Sequence, residues 1–167
     1  MNNWRRCVSP PASSVSLRRA AAEDESFMKE LYFEWRRPEF ALLPFPEPQI
    51  RDLLQMQYRA QITSYSASFP SSGYEIILLN GERAGRIWIA RQADEIRLVD
   101  ILIAPSRRNQ GIGTVLMHRL QEEARNAGLP IRATVDRANP GSLRFHQRHG
   151  FQVSGEGPLD LSVEWNP

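Results

Sequence analysis

Cysteine is nearly absent from this sequence of 167 residues. Cys7 is the only one, which excludes an internal disulfide and a cysteine-based zinc site. No apolar run approaches the length needed to cross a membrane, and the N-terminus lacks the apolar core of a signal peptide. We therefore expect no membrane partner and a cytoplasmic location.

A strong charge of one sign is missing as well. The 21 basic residues are scattered among 19 acidic ones, for a net charge of +2. Lys29 is the sole lysine, and arginine favours bidentate pairing with phosphate or carboxylate. Because nucleic-acid binders usually carry a dense basic stripe, this balance argues against a nucleic-acid partner.

Length and composition fit one globular domain. Hydrophobic residues make up 41% of the chain and charged residues 24%, which are ordinary values. The polar segment 1–14 contains Pro10 and Pro11, and we predict that it is a flexible leader. Residues 15–167 are predicted to form the single domain.

The most informative stretch that is present runs from Glu95 to Gly128. Its apolar, β-branched run from Ile96 to Ile103 predicts a buried strand, which Pro105 ends because proline has no N–H for a ladder. A loop rich in arginine and glycine follows. From Thr114 the apolar positions lie on one helical face, and Gly128 is a natural helix stop.

This order of strand, glycine-containing loop and helix is typical of anion-binding sites. Glycine lets the backbone turn its N–H groups toward a ligand, and the first helical turn adds unpaired donors and a positive dipole end. We expect a polyphosphate ligand. Thr114 and Val115 after Gly113 argue against a P-loop, and Leu116 stands where a dinucleotide fingerprint has its third glycine.

The segment from Arg108 to Gly113, RNQGIG, resembles the Arg/Gln-x-x-Gly-x-Gly/Ala signature of the GNAT N-acetyltransferase superfamily, which holds the pyrophosphate of acetyl-coenzyme A (acetyl-CoA). The Ile-Ala-Pro strand end before it strengthens the resemblance, which implies acetyl-CoA as cosubstrate. It also implies a binding site formed by the strand end, the loop and the helix start: Ile101, Leu102, Ile103, Arg108, Asn109, Gln110, Gly111, Ile112, Gly113 and Thr114.

A second block, from Asn139 to Phe151, is similar to the family pattern Asn-x-x-Ala-x-x-Leu-Tyr-x-x-x-Gly-Phe. On the residues alone, Asn139 is a good helix N-cap with proline at the first helical position, and Gly150 is a good helix stop. The resemblance adds Asn139, Phe145 and His146 to the cosubstrate site, with Asn139 hydrogen-bonded to the pantetheine.

His146 departs from the pattern. The family most often has tyrosine there, and its phenol protonates the departing thiolate of coenzyme A (CoA). A histidine, with a reference pKa near ~6.5, can also move a proton around neutral pH. Two interpretations stay open: His146 is the catalytic proton donor, or it is a solvent-side histidine and catalysis depends on positioning alone.

A base should also face the cleft, because only a neutral amine attacks a thioester. In the family a glutamate on the central strand often serves, but the corresponding place lies near Arg97, which cannot. Glu95, Asp100 and Asp136 are the candidates, and Asp100 is our choice.

The thioester oxygen should be polarised by a backbone N–H at the end of the central strand, at Leu102 or Ile103. We choose Leu102 as the catalytic donor. Proximity of two bound reactants would then supply much of the acceleration.

The remaining patterns predict a mixed α/β (α+β) fold. A strand at Ile131–Val135 follows one helix after the central strand, so it should pair with it in parallel through a right-handed crossover. Under the resemblance we expect a mostly antiparallel central sheet with a parallel pair at its centre, flanked by about four helices. Other predicted elements are strands at Val15–Leu17, Tyr74–Leu79, Arg83–Arg91 and in a hairpin over Gln152–Pro167, and helices over Glu23–Arg36 and Gln49–Ser66.

The segment Pro38–Pro48 is predicted to be a loop or a broken helix, because prolines punctuate it. The resemblance implies that the first two helices and this linker overhang the acceptor. Phe40, Phe45, Tyr58 and Tyr65 are the candidates for the acceptor lining.

The sequence thus predicts an N-acetyltransferase that moves an acetyl group from acetyl-CoA to a primary amine by direct attack in a ternary complex. The acceptor is a small molecule or a peptide, and the protein is a monomer or a homodimer. A non-catalytic acyl-CoA sensor and a nucleotide-binding α/β domain are the alternatives. No metal is expected, because His146 and His149 lack a third ligand.

Overall fold

A computed structural model of the chain describes residues 14–41 and 43–167. In this part of the chain one seven-stranded sheet, in the order β1-β2-β3-β4-β5-β7-β6, carries four α-helices. The strands are β1 (Val15–Arg19), β2 (Tyr74–Leu79), β3 (Glu82–Arg91), β4 (Ile96–Ile103), β5 (Ile131–Asp136), β6 (Gln152–Glu156) and β7 (Asp160–Trp165). The helices are α1 (Glu25–Arg36), α2 (Glu47–Ser68), α3 (Ile112–Ala127) and α4 (Pro140–Arg148).

All neighbouring strands pair antiparallel except β4 and β5, which pair in parallel. The predicted fold class is therefore confirmed. The predicted leader falls almost entirely outside the described residues. The linker forms a short 3-10 helix at Arg37–Phe40, and α2 begins at Glu47, two residues before the predicted start. No helix of the described residues is both long and apolar enough to cross a membrane.

The two faces of the sheet are covered differently. On one face, α3 packs its apolar stripe against β3, β4, β5 and β7, and Leu116, Leu120 and Ala124 are buried there. On the other face, α1 and α2 cover β2 and β3 with an aromatic core that includes Tyr32, Tyr58, Tyr74 and Trp88. Burial alternates along β5 and β7, so their second face stays partly or fully exposed.

The central strands diverge, and this divergence creates a gap. Only Ile96–Leu98 of β4 pair with Ile131–Ala133 of β5. Trp88 of β3 lies opposite Asp100, and the next residue of β3 lies opposite Leu98, so Val99 is an extra residue in a β-bulge. Beyond the bulge β4 has no pairing partner on its β5 side within the described chain. The sheet therefore opens at the carboxyl ends of its parallel pair, where α/β sheets bind ligands.

Candidate active site

Two cavities meet at the gap between β4 and β5. The loop-side cavity, about 700 Å³, lies between the end of β4, the loop before α3 and the helix α4. The helix-side cavity, about 500 Å³, lies between the gap and helices α1 and α2. Seven residues line both and so mark their junction: Trp35, Asp100, Ile101, Asp136, Asn139, Ser142 and His146.

The start of α3 forms one wall of the loop-side cavity. Asn109 and Gly111 both have positive φ, 61° and 77°, and the helix begins directly after Gly111. Gly111 has no side chain to cap the helix, so the N–H groups of Ile112, Gly113 and Thr114 keep no partner within the helix. These donors and the helix dipole make the wall an anion-binding surface.

Arginines add positive charge to the same cavity. Arg107, Arg108, Arg144 and Arg148 all line it. Arg108 donates through Nε to the Ile103 carbonyl at 3.1 Å. Arg144 and Arg148 were missed by the sequence reasoning, although their i, i+4 spacing on a predicted helix is a signal that could have found them. A polyanion fits this surface better than a neutral ligand.

The two sequence motifs touch each other in the folded chain. A Cβ on Gly113 would lie 3.1 Å from the ring of Phe145, so only glycine lets the first turn of α3 approach α4 this closely. Asn139 accepts the Ser142 N–H at 3.0 Å through its side-chain oxygen and thereby caps α4, as predicted. Its side-chain amide hydrogens are left for a ligand in the cavity.

The backbone of β4 decides which N–H groups face the gap. Ala104, which follows β4, donates its N–H to the carbonyl oxygen of Ala84 in β3 at 2.9 Å. Backbone groups alternate along an antiparallel ladder, so Leu102 also turns its N–H toward β3, whereas Ile101 and Ile103 face the gap. The choice of Leu102 as the polarising donor is therefore wrong, because its N–H lies in the ladder. Leu102 contributes only to the cavity lining.

His146 is buried at the junction, with 4% of its surface exposed, so the solvent-side interpretation is wrong. Its Nδ1 lies 2.9 Å from the carbonyl oxygen of Ser142. Because a carbonyl only accepts, Nδ1 carries the proton, and Nε2 is an acceptor without a partner among the described residues. Burial lowers the pKa of His146 below its ordinary value of about 6.5, so the ring is neutral at pH 7.

Asp100 also lies at the junction, and its side chain is 14% exposed. Tyr74 donates its hydroxyl to Oδ2 of Asp100 at 2.9 Å, and Nη2 of the fully buried Arg86 lies 3.0 Å from the same oxygen. Burial raises the pKa of Tyr74, which keeps its hydroxyl a donor. The second oxygen, Oδ1, has no partner among the described residues and is left for a ligand.

The other two candidate bases differ in position. Glu95 lines neither cavity and pairs with Arg132 at 2.8 Å, so it is excluded as a base at the gap. Asp136 lies at the junction and is exposed, and its Oδ1 accepts the Ala138 N–H at 2.8 Å.

The helix-side cavity has an aromatic and amide lining. Of the four predicted lining aromatics only Tyr65 is present there, and burial raises its pKa to about 12. Gln61 donates to the Tyr65 hydroxyl at 3.3 Å. Phe40 and Tyr58 are 9% and 1% exposed, because they pack into the aromatic core between α1, α2 and the sheet.

Phe45 is 38% exposed and lines neither cavity, so it is also a wrong choice. Trp35 has the helical spacing of a core position on α1, yet it lines both cavities. Core and lining positions share one helical period, and the sequence alone does not separate them.

Two further features lie away from the junction. A third cavity, about 590 Å³, lies beside the segment Ser68–Gly73 and contains no residue of either motif. His118 and His149 have ring centroids 5.6 Å apart. In the described ranges no three His, Cys, Asp or Glu side chains cluster as metal ligands would.

Comparison with protein families gives one clear match. The model described as "Acetyltransferase (GNAT) family" matches residues 26–151, which include both sequence motifs. Acetyltransferase Atu2258 from Agrobacterium fabrum is 39% identical over 71 residues, 40% of this chain and 51% of that protein. The L-methionine sulfoximine/L-methionine sulfone acetyltransferase of Pseudomonas aeruginosa is 34% identical over 59 residues, 35% of this chain and 34% of that protein. The chain thus spans about half the length of the first relative and a third of the second.

Solved structures share the fold at lower identity. The PaiA N-acetyltransferase from Thermoplasma acidophilum, solved with coenzyme A, has a TM-score of 0.68 at 19% identity, covering 92% of this chain and 99% of that one. The N-acetyltransferase PseH from Campylobacter jejuni, solved with acetyl coenzyme A, has a TM-score of 0.57 at 15% identity, with the same coverage.

Proposed function

The chain belongs to the acetyltransferase (GNAT) family, and from this premise we propose that it transfers an acetyl group from acetyl-CoA to a primary amine. The observation that carries the proposal is the junction. An anion-binding cavity and an aromatic cavity open onto the same gap from opposite sides. Each reactant can therefore enter from its own side, which suits direct attack in a ternary complex.

The loop-side cavity has the donors that acetyl-CoA needs. The free N–H groups of Ile112, Gly113 and Thr114, with Arg108 beside them, suit the pyrophosphate. Arg144 and Arg148 suit the remaining phosphate charge. The pantetheine arm would lie along the backbone of Ile101 and Ile103, with the Asn139 amide within the same cavity.

The proton transfers that the reaction requires suggest a role for His146. The amine, after losing its extra proton to water, attacks the thioester carbon; a C–N bond forms and the C–S bond breaks. Nε2 of His146, which is free to accept, takes the proton of the attacking nitrogen and returns it to the sulfur. His146 is thus a shuttle, and it donates only after it has accepted.

Two further groups complete the proposed chemistry. The N–H of Ile101, which faces the gap at the junction, polarises the thioester oxygen. Asp100 holds the amine through Oδ1 and acts as a positioning residue, because Arg86 and Tyr74 hold its other oxygen in place. The cytoplasmic location and the monomeric or homodimeric state stay predictions.

Two measurements test this function. Titration calorimetry with acetyl-CoA, CoA and NAD should show binding of the first two and none of NAD; preferred binding of NAD would contradict the proposal. Release of free thiol from acetyl-CoA across a panel of amines, amino acids and peptides should then identify an acceptor. Binding of acetyl-CoA without thiol release for any amine would favour the sensing domain instead.

A further inference from the structure

The exposed face of β5 and β7 carries its polar side chains in ordered rows. Register places Arg132 opposite Glu164, Thr134 opposite Ser162 and Asp136 opposite Asp160. In the first row the cation is fully paired, because Arg132 bonds both Glu164 at 2.5 Å and Glu95 at 2.8 Å. The later rows lead toward the gap. The last row places two acidic residues, Asp136 and Asp160, opposite each other in the lining of the helix-side cavity.

Arg97 of β4 is the arginine whose charge stays unpaired there. It lines the helix-side cavity and donates through Nη2 to the Thr134 hydroxyl at 3.0 Å. No carboxylate lies within ion-pair distance of it in the described residues, whereas Arg36, the other arginine of this cavity, pairs with Glu39 at 2.8 Å. Most N–H donors of Arg97 are thus left for a ligand.

The hydrogen bond to Thr134 sets the direction of the Arg97 side chain. In the parallel register Arg97 lies beside Arg132, yet its guanidinium reaches Thr134, two residues further along β5. Two residues are about 6.6 Å of strand, so the guanidinium leans toward the gap. The next row, Asp136 beside Asp160, lies the same step beyond it, and both acids line the helix-side cavity. A cation and a pair of anions therefore follow one another on the way to the junction.

We propose that the acceptor is an α-amino acid, whose carboxylate binds Arg97 and whose amine lies toward Asp136, Asp160 and the junction. This inference rests on the proposed function. In the reaction, the α-nitrogen forms the C–N bond, the C–S bond of acetyl-CoA breaks, and one proton passes from nitrogen to sulfur while the extra ammonium proton leaves to water. The acetylated product loses the positive charge that the two acids attract, which favours its release.

The test compares each L-amino acid with the amine that lacks its carboxylate, for example leucine with 3-methylbutylamine and phenylalanine with 2-phenylethylamine. Thiol release should give a kcat/KM at least about 10-fold higher for the amino acids. Arg97→Gln should raise KM for amino acids ~10- to 100-fold, the loss expected for a charge-assisted contact, and leave KM for the plain amines within about 2-fold. Arg97→Lys, which keeps the charge but loses the planar fork, should fall between.

The control is Arg59→Gln, a change on the exposed side of α2 that touches neither cavity. This control variant should leave kcat and KM unchanged for both the amino acids and the plain amines. Equal kcat/KM for amino acids and plain amines, or an equal loss for both with Arg97→Gln, would overturn the inference. Thermal unfolding of Arg97→Gln and Arg97→Lys checks that both variants fold.

A binding experiment separates the two proposals. Calorimetric titration of the same amino acids into protein saturated with CoA should show binding that Arg97→Gln abolishes. If no amine is acetylated but this binding is present, the proposed function fails, and of the inference only the amino-acid site at Arg97 survives. If plain amines are acetylated while amino acids neither bind nor react, the function survives and the inference fails.

Discussion

The two cavities at the gap are built from different parts of the chain. The loop-side cavity offers backbone N–H groups at Ile112–Thr114, and at Ile101 and Ile103 beyond the bulge, with arginine side chains around them. The helix-side cavity offers side chains, such as Tyr65 and Arg97, that project from helices and strands. One cavity therefore depends on conformations that few residues permit, and the other depends on side chains that many scaffolds could carry.

This difference explains why the loop-side cavity could be predicted from the sequence and the helix-side cavity could not. A position with a left-handed backbone conformation before a helix favours glycine, and a close approach of two helices requires it. The glycines at 111 and 113 therefore make these two features recognisable in the sequence. An aromatic side chain on α2 faces the core or the cavity depending on a small rotation about the helix axis. Tyr58 and Tyr65 are seven residues apart, and only the second lines the cavity.

The largest expected effect comes from removing the buried cation behind the helix-side cavity, which contacts two of its lining residues, Asp100 and Gln61. Arg86 is fully buried, bonds Gln61 at 3.1 Å and lies 4.6 Å from the centre of the Tyr74 ring. Arg86→Met leaves the Asp100 carboxylate without its cation, and we expect a loss of about 3 kcal/mol in the free energy of unfolding.

Urea denaturation measures this loss, with Arg59→Met as the matched surface control. The folded fraction of Arg86→Met should still bind CoA, because Arg86 does not line the loop-side cavity and the anion-binding N–H groups lie at the start of α3. A loss below about 1 kcal/mol would show that the pair is not a structural support of the cavity.

The next effect tests the junction itself. His146→Phe removes the acceptor nitrogen and keeps the ring volume, so kcat should fall by about 100-fold, within the range for acid–base catalysis. The dissociation constant of acetyl-CoA should stay within about 3-fold. His118→Phe, at an exposed position of α3, is the control and should change neither constant. An unchanged kcat for His146→Phe would remove the proposed role.

The same variant gives a pH test with a definite sign. Because burial lowers the pKa of His146, the folded ring stays neutral as pH falls to 6.5 and takes up a proton only below that value. The ratio of wild-type to His146→Phe kcat should therefore be flat from pH 8 down to about 6.5 and should fall only at lower pH. The ratio cancels the ionisation of the amine, which is common to both proteins.

The sheet was predictable for the same reason as the loop-side cavity. The apolar, β-branched run from Tyr74 to Leu79, the Asn80-Gly81 pair and the crossover to β5 each left a local pattern, and the parallel pair followed from connection rules. The bulge at Val99 left none, because a bulge residue needs no special side chain. The pairing register with β3 decides which N–H groups of β4 face the gap, so the choice between Leu102 and Ile103 as the polarising donor could not be settled from the sequence.

A smaller effect sharpens the account of the loop-side cavity. Gly111→Ala places a Cβ at φ 77°, which costs about 1–2 kcal/mol for an L-residue and shifts the loop away from its binding conformation. The dissociation constant of acetyl-CoA should rise by about 10-fold, measured by calorimetry. Gly73→Ala, where open space surrounds the new methyl group, is the control and should leave the affinity unchanged. Equal affinities for both variants would contradict the backbone account.

The smallest effect concerns the helix-side cavity. Tyr65→Phe removes one hydroxyl from its lining, so KM for the acceptor should rise by about 3- to 10-fold while acetyl-CoA affinity stays constant. Since the pKa of Tyr65 is about 12, this hydroxyl stays protonated and should not alter the pH profile below pH 10. Tyr58→Phe is the matched control: its hydroxyl is buried without a partner in the described chain, and its loss should leave KM unchanged.

The most direct test of the central claim is a titration of ¹⁵N-labelled protein with CoA, followed through the backbone amide resonances. If main-chain N–H groups hold the pyrophosphate and the thiol arm lies in the gap, the largest shifts will occur at Ile112, Gly113, Thr114, Ile101 and Ile103. Shifts concentrated at Ser68–Gly73, beside the third cavity, with those five amides unmoved, would contradict the account.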